Sequence, residues 1–314
     1  MRQRRNTRAR RDSKFIITNK LFFTIVAVLI GIIVLSILTI MYRQDQAKKR
    51  VAEQKEEVKR QTEEIFKSIK YSVPENKDDV PVRTYTAKLS IVGDILCNTD
   101  MLNDAKDEDE YYFDNMFKDI IEYTQNADYA IGTLETNFTN NDFSGIRKYN
   151  SPIAFLEAIN KTGIDMVSVA HNHILDYGEE GFYETIDNIR EQELSITGIA
   201  NNEENENPEF TGNIKDIKGI KVAVLSYTYG ISNERELSDE EIELANIYEV
   251  DKVDKDFEYA KSNSDFIIVI MHWGEINDTS ISDWQLEVKD YLVSKGANAI
   301  LRFPSICCRT SRIN

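Results

Sequence analysis

Cysteine, histidine and basic charge are all scarce in this chain. Three cysteines stand among 314 residues. Their odd count and scatter, Cys97 alone and Cys307 next to Cys308, exclude a disulfide framework. Adjacent cysteines also lack the spacing of a zinc-binding pair. Lysine and arginine number 38 against 54 acidic residues, a net charge of −16. Phosphate-backbone recognition needs a basic footprint, so no nucleic acid partner is expected. No internal repeat of useful fidelity is present. Only three histidines occur, and two of them, His171 and His173, stand together.

Basic charge is densest at the start. Residues 1–20 hold eight basic groups and one acidic, hence +7, which leaves −23 for the remainder. Leu21–Tyr42 follows as an uncharged, strongly apolar run of 22 residues, long enough to cross about 30 Å of hydrocarbon as a helix. The basic flank places the N-terminus in the cytoplasm and everything after Tyr42 outside. A cleaved signal peptide would have a shorter apolar core and a small-x-small site. Ile40-Met41-Tyr42-Arg43 offers none, so an uncleaved signal-anchor is expected.

Residues 43–87 read as a stalk and linker. Val51, Val58 and Ile65 recur every seven residues in a Lys/Glu/Gln-rich stretch without Gly or Pro as far as Lys70, while Gln54 and Gln61 weaken any coiled coil. Pro74–Pro81 then leads into a globular part, 88–301. There, apolar β-like runs alternate with helical patterns. The strands are expected at Leu89–Val92, Tyr129–Thr133, Met166–Ala170, Val222–Tyr227 and Phe266–Met271. Helices are expected near Tyr111–Gln125, Ile153–Thr162, Gly181–Glu191, Val250–Lys261 and Ile281–Ser294. This is an α/β domain with both sheet faces covered.

In such domains the C-terminal ends of the strands carry the site. Each of four strand ends here delivers a ligand-type group: Asp94 after Val92-Gly93, Glu135 after Thr133-Leu134, then His171-Asn172-His173 with Asp176, and His272 after Met271. Imidazole, amide oxygen and carboxylate suit Zn, Mn or Fe at a hydrolytic centre. A Gly-Asp after a strand is by itself usually a turn; four such ends in one chain are more specific.

These motifs, Val92-Gly-Asp94-Ile-Leu, Thr133-Leu-Glu135-Thr-Asn137, Val169-Ala-His171-Asn-His173-Ile-Leu-Asp176-Tyr-Gly178 and Met271-His272-Trp-Gly274-Glu275, resemble those of the CapA family of capsule and poly-γ-glutamate synthesis proteins. The resemblance covers roughly Lys88 to Leu301 and implies a metallophosphatase-like layered β-sheet core flanked by helices. It further implies that Asp94 binds one divalent metal (Mn, Zn, Fe or Mg), that Glu135 bridges, and that Asn172, His173 and His272 serve a second metal. His171 stands where the family usually has Asn; as a catalytic residue it would be a general acid, and otherwise a tolerated replacement.

Two departures from the family pattern follow. Asp94-Ile-Leu96 lacks the histidine of an Asp-x-His start, which implies a weakly held or single-metal site. After Leu301, where the family has Gly-x-His-Pro-His, the chain reads Arg302-Phe-Pro-Ser-Ile-Cys-Cys-Arg-Thr-Ser-Arg-Ile-Asn314. Residues 302–314 are therefore expected to be an aberrant tail from a shifted frame or truncation, with a natural short tail as the alternative. The functional expectation is a membrane-anchored extracellular protein acting with membrane synthase or export subunits on an anionic capsule polymer. It is either a metal-dependent hydrolase or transferase, or a non-catalytic scaffold. A generic extracellular phosphoesterase rests on fold analogy alone.

Overall fold

Side chains alternate across a strand, so a strand buried on both faces must satisfy two different cores. The computed structural model describes residues 84–200, 205–232, 234–274 and 281–303, with scattered positions between Ala27 and Arg60. The chain divides into two units, Met1–Pro81 and Val82–Asn314. In the first, the described positions are helical, and Thr39 donates its hydroxyl to Leu35 O at 2.7 Å. Val28, Leu35, Leu38 and Met41 are each more than half exposed. Among the described residues no helix is long and apolar enough to cross a membrane. Most of the expected span Leu21–Tyr42, all of segment 1–20 and nearly all of the stalk lie outside the described residues.

The second unit contains, in chain order, β1 (Leu89–Ile95), β2 (Lys106–Asp107), β3 (Glu110–Tyr111), β4 (Tyr129–Leu134), β5 (Ser144–Ile146) and β6 (Lys148–Asn150). There follow β7 (Met166–Ser168), β8 (Ser195–Thr197), β9 (Asn213–Ile217), β10 (Ile220–Thr228), β11 (Phe266–His272) and β12 (Ala299–Phe303). They form two four-stranded sheets, β1-β4-β7-β8 and β12-β11-β10-β9, plus the hairpins β2-β3 and β5-β6. All pairs of the first sheet are parallel, as are β10-β11 and β11-β12; only β9 runs antiparallel, to β10. The expected α/β class holds, with the core divided into two sheets.

The alternation sorts into three apolar clusters. Ile131 and Met166 of the first sheet pack with Val222, Val224, Ile268 and Ile270 of the second, so the sheets lie face to face. Ser168 and Ser226 meet across this interface, Oγ to Oγ at 2.5 Å. The opposite faces are covered by helices. Ala130, Leu134 and Val167 pack with Phe155, Leu156, Ile159, Phe182 and Ile186 from helices Ile153–Lys161 and Gly178–Glu191. Ala223, Leu225, Val269 and Met271 pack with Val253, Phe257, Val288 and Leu292 from helices Val250–Asn263 and Asp283–Lys295. Ser282 opens the last helix with a reciprocal capping box to Gln285, and Gly296 ends it in the left-handed region at φ 105°.

The expected helix Tyr111–Gln125 is broken. Tyr111 ends the β2-β3 hairpin, and only Asp114–Phe117 and Ile121–Gln125 are helical. Phe113 and Phe117 instead turn inward onto the ring of Phe155. The strand β12 also extends past the boundary expected at Leu301. Arg302 and Phe303 pair with Met271 and His272, and Phe303 O accepts from Trp273 N at 3.1 Å. These two residues thus belong to the sheet, while the remainder of the tail, 304–314, lies outside the described residues.

Candidate functional site

On β11, Ile268 and Ile270 face the other sheet, and the period of two gives His272, the last residue, the same side. On β4, Ile131 faces the same interface, and the parity carries to Thr133 and on to Glu135 just beyond the strand. β1 reaches the site differently. Val92 pairs with Gly132 and Ile95 with Leu134, so one extra residue is inserted on β1. Asp94 lies in this bulge at φ 33°, in the left-handed region. Regular alternation would have given Asp94 the helix-covered side with Val92; the bulge re-aims it. Gly93 is required beside it, because a Cβ there would stand 2.1 Å from the ring of Phe303.

Asp94 Oδ1 consequently lies 3.7 Å from His272 Nδ1, and Glu135 Oε1 lies 3.7 Å from His272 Nε2. His272 and Glu135 are buried. His272 Nε2 pairs with Asn172 Oδ1 at 2.9 Å. An amide oxygen only accepts, so Nε2 carries a proton, and in the neutral tautomer the lone pair lies on Nδ1. That lone pair faces a carboxylate oxygen, acceptor to acceptor. Among the described residues neither Asp94 Oδ1 nor His272 Nδ1 has a hydrogen-bond partner, and both are buried.

Such an arrangement suits a cation. At 3.7 Å the two atoms are too far apart for a hydrogen bond. Two ligands held at about 2.1 Å on a tetrahedral centre stand about 3.4 Å apart, so a small movement would let both reach one ion. The fit is partial. Among the described residues no group of three or more His, Cys, Asp or Glu side chains is placed to hold a metal.

The loop after β7 supplies the rest. Asn172 Nδ2 donates to Ser232 Oγ and its Oδ1 accepts from His272 Nε2, so both ends of this amide have protein partners, and Ser232 N donates to the backbone carbonyl of Asn172 at 2.8 Å. His173 Nδ1 pairs with Asp176 Oδ2 at 2.9 Å, its ring lies edge-on to Tyr149, and its carbonyl accepts from Asn137 Nδ2 at 2.8 Å. Asp176 also accepts from Tyr149 N. A carboxylate holding Nδ1–H leaves Nε2 as the working nitrogen of His173. Asn137 and Ser232 were not among the expected site residues; Asp176, expected in this loop as a ligand-type group, here orients His173. His171 is wholly buried, 6.3 Å from His272 between ring centroids. Burial, followed by the neighbouring His272 and His173, pushes its pKa well below the usual 6.5. It is therefore neutral at physiological pH, which removes the general-acid role in the form of an imidazolium.

The structure thus joins Asp94, Glu135, Asn172 and His272 in one connected set, with His171 alongside and His173 oriented by Asp176. Residues 88–302 match the family described as bacterial capsule synthesis protein PGA_cap. The capsule biosynthesis protein CapA of Bacillus anthracis is 25% identical over 224 residues, covering 68% of this chain and 53% of that protein. The PGA biosynthesis protein CapA of Bacillus subtilis (strain 168) is 23% identical over 239 residues, covering 70% and 58%. The chain therefore spans little more than half the length of these relatives. A solved structure of a proposed 5'-nucleotidase of Staphylococcus aureus with alpha-ketoglutarate has a TM-score of 0.42 at 14% identity, covering 68% of this chain and 44% of that one. A likeness of that degree says nothing about chemistry at the site. With the family match extending over more than half of the sequence, this chain belongs to the bacterial capsule synthesis protein family PGA_cap.

Proposed function

We propose that this chain is a membrane-anchored, extracellular protein of capsule synthesis or export, acting on an anionic polymer of the poly-γ-glutamate type through a divalent-cation site on Asp94 and His272. The observation that carries the reading is the buried acceptor pair, Asp94 Oδ1 and His272 Nδ1, facing each other at 3.7 Å. A divalent cation bound there would polarise a substrate carbonyl or phosphoryl oxygen, or lower the pKa of a bound water. The mixed imidazole and carboxylate set suits Mn, Zn or Fe better than a hard all-oxygen cation such as Mg. The protein's own part is orientation. Asn172 fixes the tautomer of His272, Asp176 fixes that of His173, and the two packed sheets keep bulk water from their shared edge. In this reading the layered core with its site at the strand ends is metallophosphatase-like, and the reaction class is hydrolysis or transfer.

Charge supports a cation. The part of the chain after residue 20 carries −23, and like charges repel a polyanion unless the local field is reversed. The anchor rests on the apolar run Leu21–Tyr42 with its basic flank and on the exposed Val28, Leu35, Leu38 and Met41 of the first unit, which call for lipid or a membrane synthase subunit as cover. Calorimetric titration of the protein with Mn²⁺ and Zn²⁺ tests the site. Wild type should bind, and His272→Ala should not. Equal heats from the two proteins would remove the cation site.

A second reading is a non-catalytic scaffold of a polymer synthase complex. It is favoured by the absence, among the described residues, of a three-donor acidic, histidine or cysteine group. It stands if no cation binds the wild type.

A further inference from the structure

We infer that His171 is the anion-binding residue of this site: its neutral ring donates Nε2–H to an oxygen of the substrate's carboxylate or phosphoryl group, and it acts neither as a metal ligand nor as an acid. The inference deepens the reading above and rests on it. His173 N–H donates to His171 Nδ1 at 3.2 Å. That bond needs the Nδ1 lone pair, so the ring's single proton sits on Nε2. With one nitrogen accepting and the other protonated, the ring has no lone pair left for a metal.

Among the described residues the proton on Nε2 has no partner, although the side chain is wholly buried. Buried donors of this kind are rarely left unmatched except at functional sites. The ring stands at 74° to that of His272, whose nitrogens face Asp94 and Glu135. Other nitrogen-bearing side chains of the site have partners: Asn137 donates to Tyr149 O and His173 O, Asn172 to Ser232, His173 to Asp176 and His272 to Asn172, while Trp273, whose Nε1 is also unmatched, packs in the helix-covered cluster with Val288 and Leu292. The carboxylates of the site can only repel an incoming anion. His171 supplies a donor beside them without adding a charge that would compete for the cation.

The chain has three histidines, so ¹⁵N-histidine labelling of the full chain in detergent micelles gives three ring systems, assigned with His171→Leu. The His171 ring should show a bare Nδ1 and a protonated Nε2. Saturation with Zn²⁺ should leave that pattern unchanged, and subsequent phosphate or acetate should shift Nε2. Calorimetry on the zinc-loaded protein should find phosphate or acetate binding weakened about tenfold in His171→Leu, the loss of one hydrogen bond to an anion. His171→Gln, whose amide reaches the position of Nε2, should recover to within about threefold of wild type, and zinc affinity should be the same in all three. If Leu at this position disturbs folding, His171→Asn, which keeps polarity but falls short of Nε2, takes its place and should behave as Leu does.

A preference for acetate over phosphate would identify a carboxylate substrate group, and the reverse a phosphoryl group. Zinc-induced loss of the Nε2 proton would make His171 a ligand and overturn the inference. Unaltered anion affinity in His171→Leu with normal zinc binding would overturn it too, leaving the cation site intact. No zinc binding by wild type would sink both.

Discussion

Asp256 is a buried carboxylate whose place in this fold is structural. It accepts from Thr211 N at 3.0 Å, Thr211 Oγ1 at 2.6 Å and Tyr227 Oη at 2.7 Å. Burial raises its pKa above 3.8, against the lowering effect of the Thr211 and Tyr227 bonds. A raised carboxyl value means that the folded state prefers the protonated form. The associated stability is full below about pH 3.8 and is lost as pH rises through the folded value. The penalty of Asp256→Asn relative to wild type, read from urea midpoints, should therefore be largest near pH 4 and shrink toward neutrality. A constant or growing penalty would contradict this. Tyr227→Phe, which deletes one bond to the carboxylate, should cost about 1.5–3 kcal/mol. Cys97 behaves as a core residue, wholly buried, with burial pushing its thiol up to about 12. Alkylation at pH 8 followed by peptide mapping should leave it unmodified in the native protein and modify it in urea.

Among the elements, β1 carries the feature least visible in sequence. The apolar alternation of Leu89 and Ile91 reads as a strand, but the extra residue before Ile95 depends on its pairing with β4. Asp94 pays there for a positive φ, which costs a side-chain-bearing residue about 1–2 kcal/mol. Asp94→Gly should accordingly be more stable than Asp94→Ala by about 1 kcal/mol in thermal unfolding, and under the proposed cation site neither variant should bind Mn²⁺ or Zn²⁺. Equal melting temperatures would mean that the bulge is unstrained. At the far edge, a chain ending at Phe303 should melt like the full chain. One ending at Leu301 loses the pairing of Arg302 and Phe303 with β11 and the ring packed on Gly93, and should lose about 2–4 kcal/mol. The composition change after Leu301 marks a break in the sequence, yet the hydrogen-bond ladder runs two residues beyond it.

On the scale of the whole molecule, the proposed topology has a basic segment inside, an apolar span in the membrane and an acidic domain outside the cell. Protease added to intact protoplasts should remove an epitope at the C-terminus and spare one at Arg2. The opposite pattern would invert the molecule. Raised ionic strength should not release the protein from membranes if Leu21–Tyr42 spans the bilayer, because apolar insertion is not screened by salt.

The sequence by itself determined which residues end the strands. The run Phe266–Met271 of β11 is apolar without interruption and those of β4 and β10 are largely apolar, as strands covered on both faces must be, and Glu135 and His272 fall where the runs of β4 and β11 stop. It also determined the acidity of the chain and its family motifs. Tertiary structure alone decided what those residues face. A period of two assigns a side chain to one face of a strand but does not say which sheet lies opposite, so the strand order of the two sheets and the direct approach of His272 Nδ1 to Asp94 Oδ1 were not legible, although the family motifs implied a shared site. The proton positions of the site are likewise contact properties. Asn172 fixes the ring of His272 from 100 residues away in the chain, and the backbone N–H of His173 fixes that of His171. Local propensity fails for the same reason at Tyr111–Gln125, where a helical pattern yields to the burial of Phe113 and Phe117 against Phe155, because packing an aromatic ring outweighs the small differences in helix preference along a short segment.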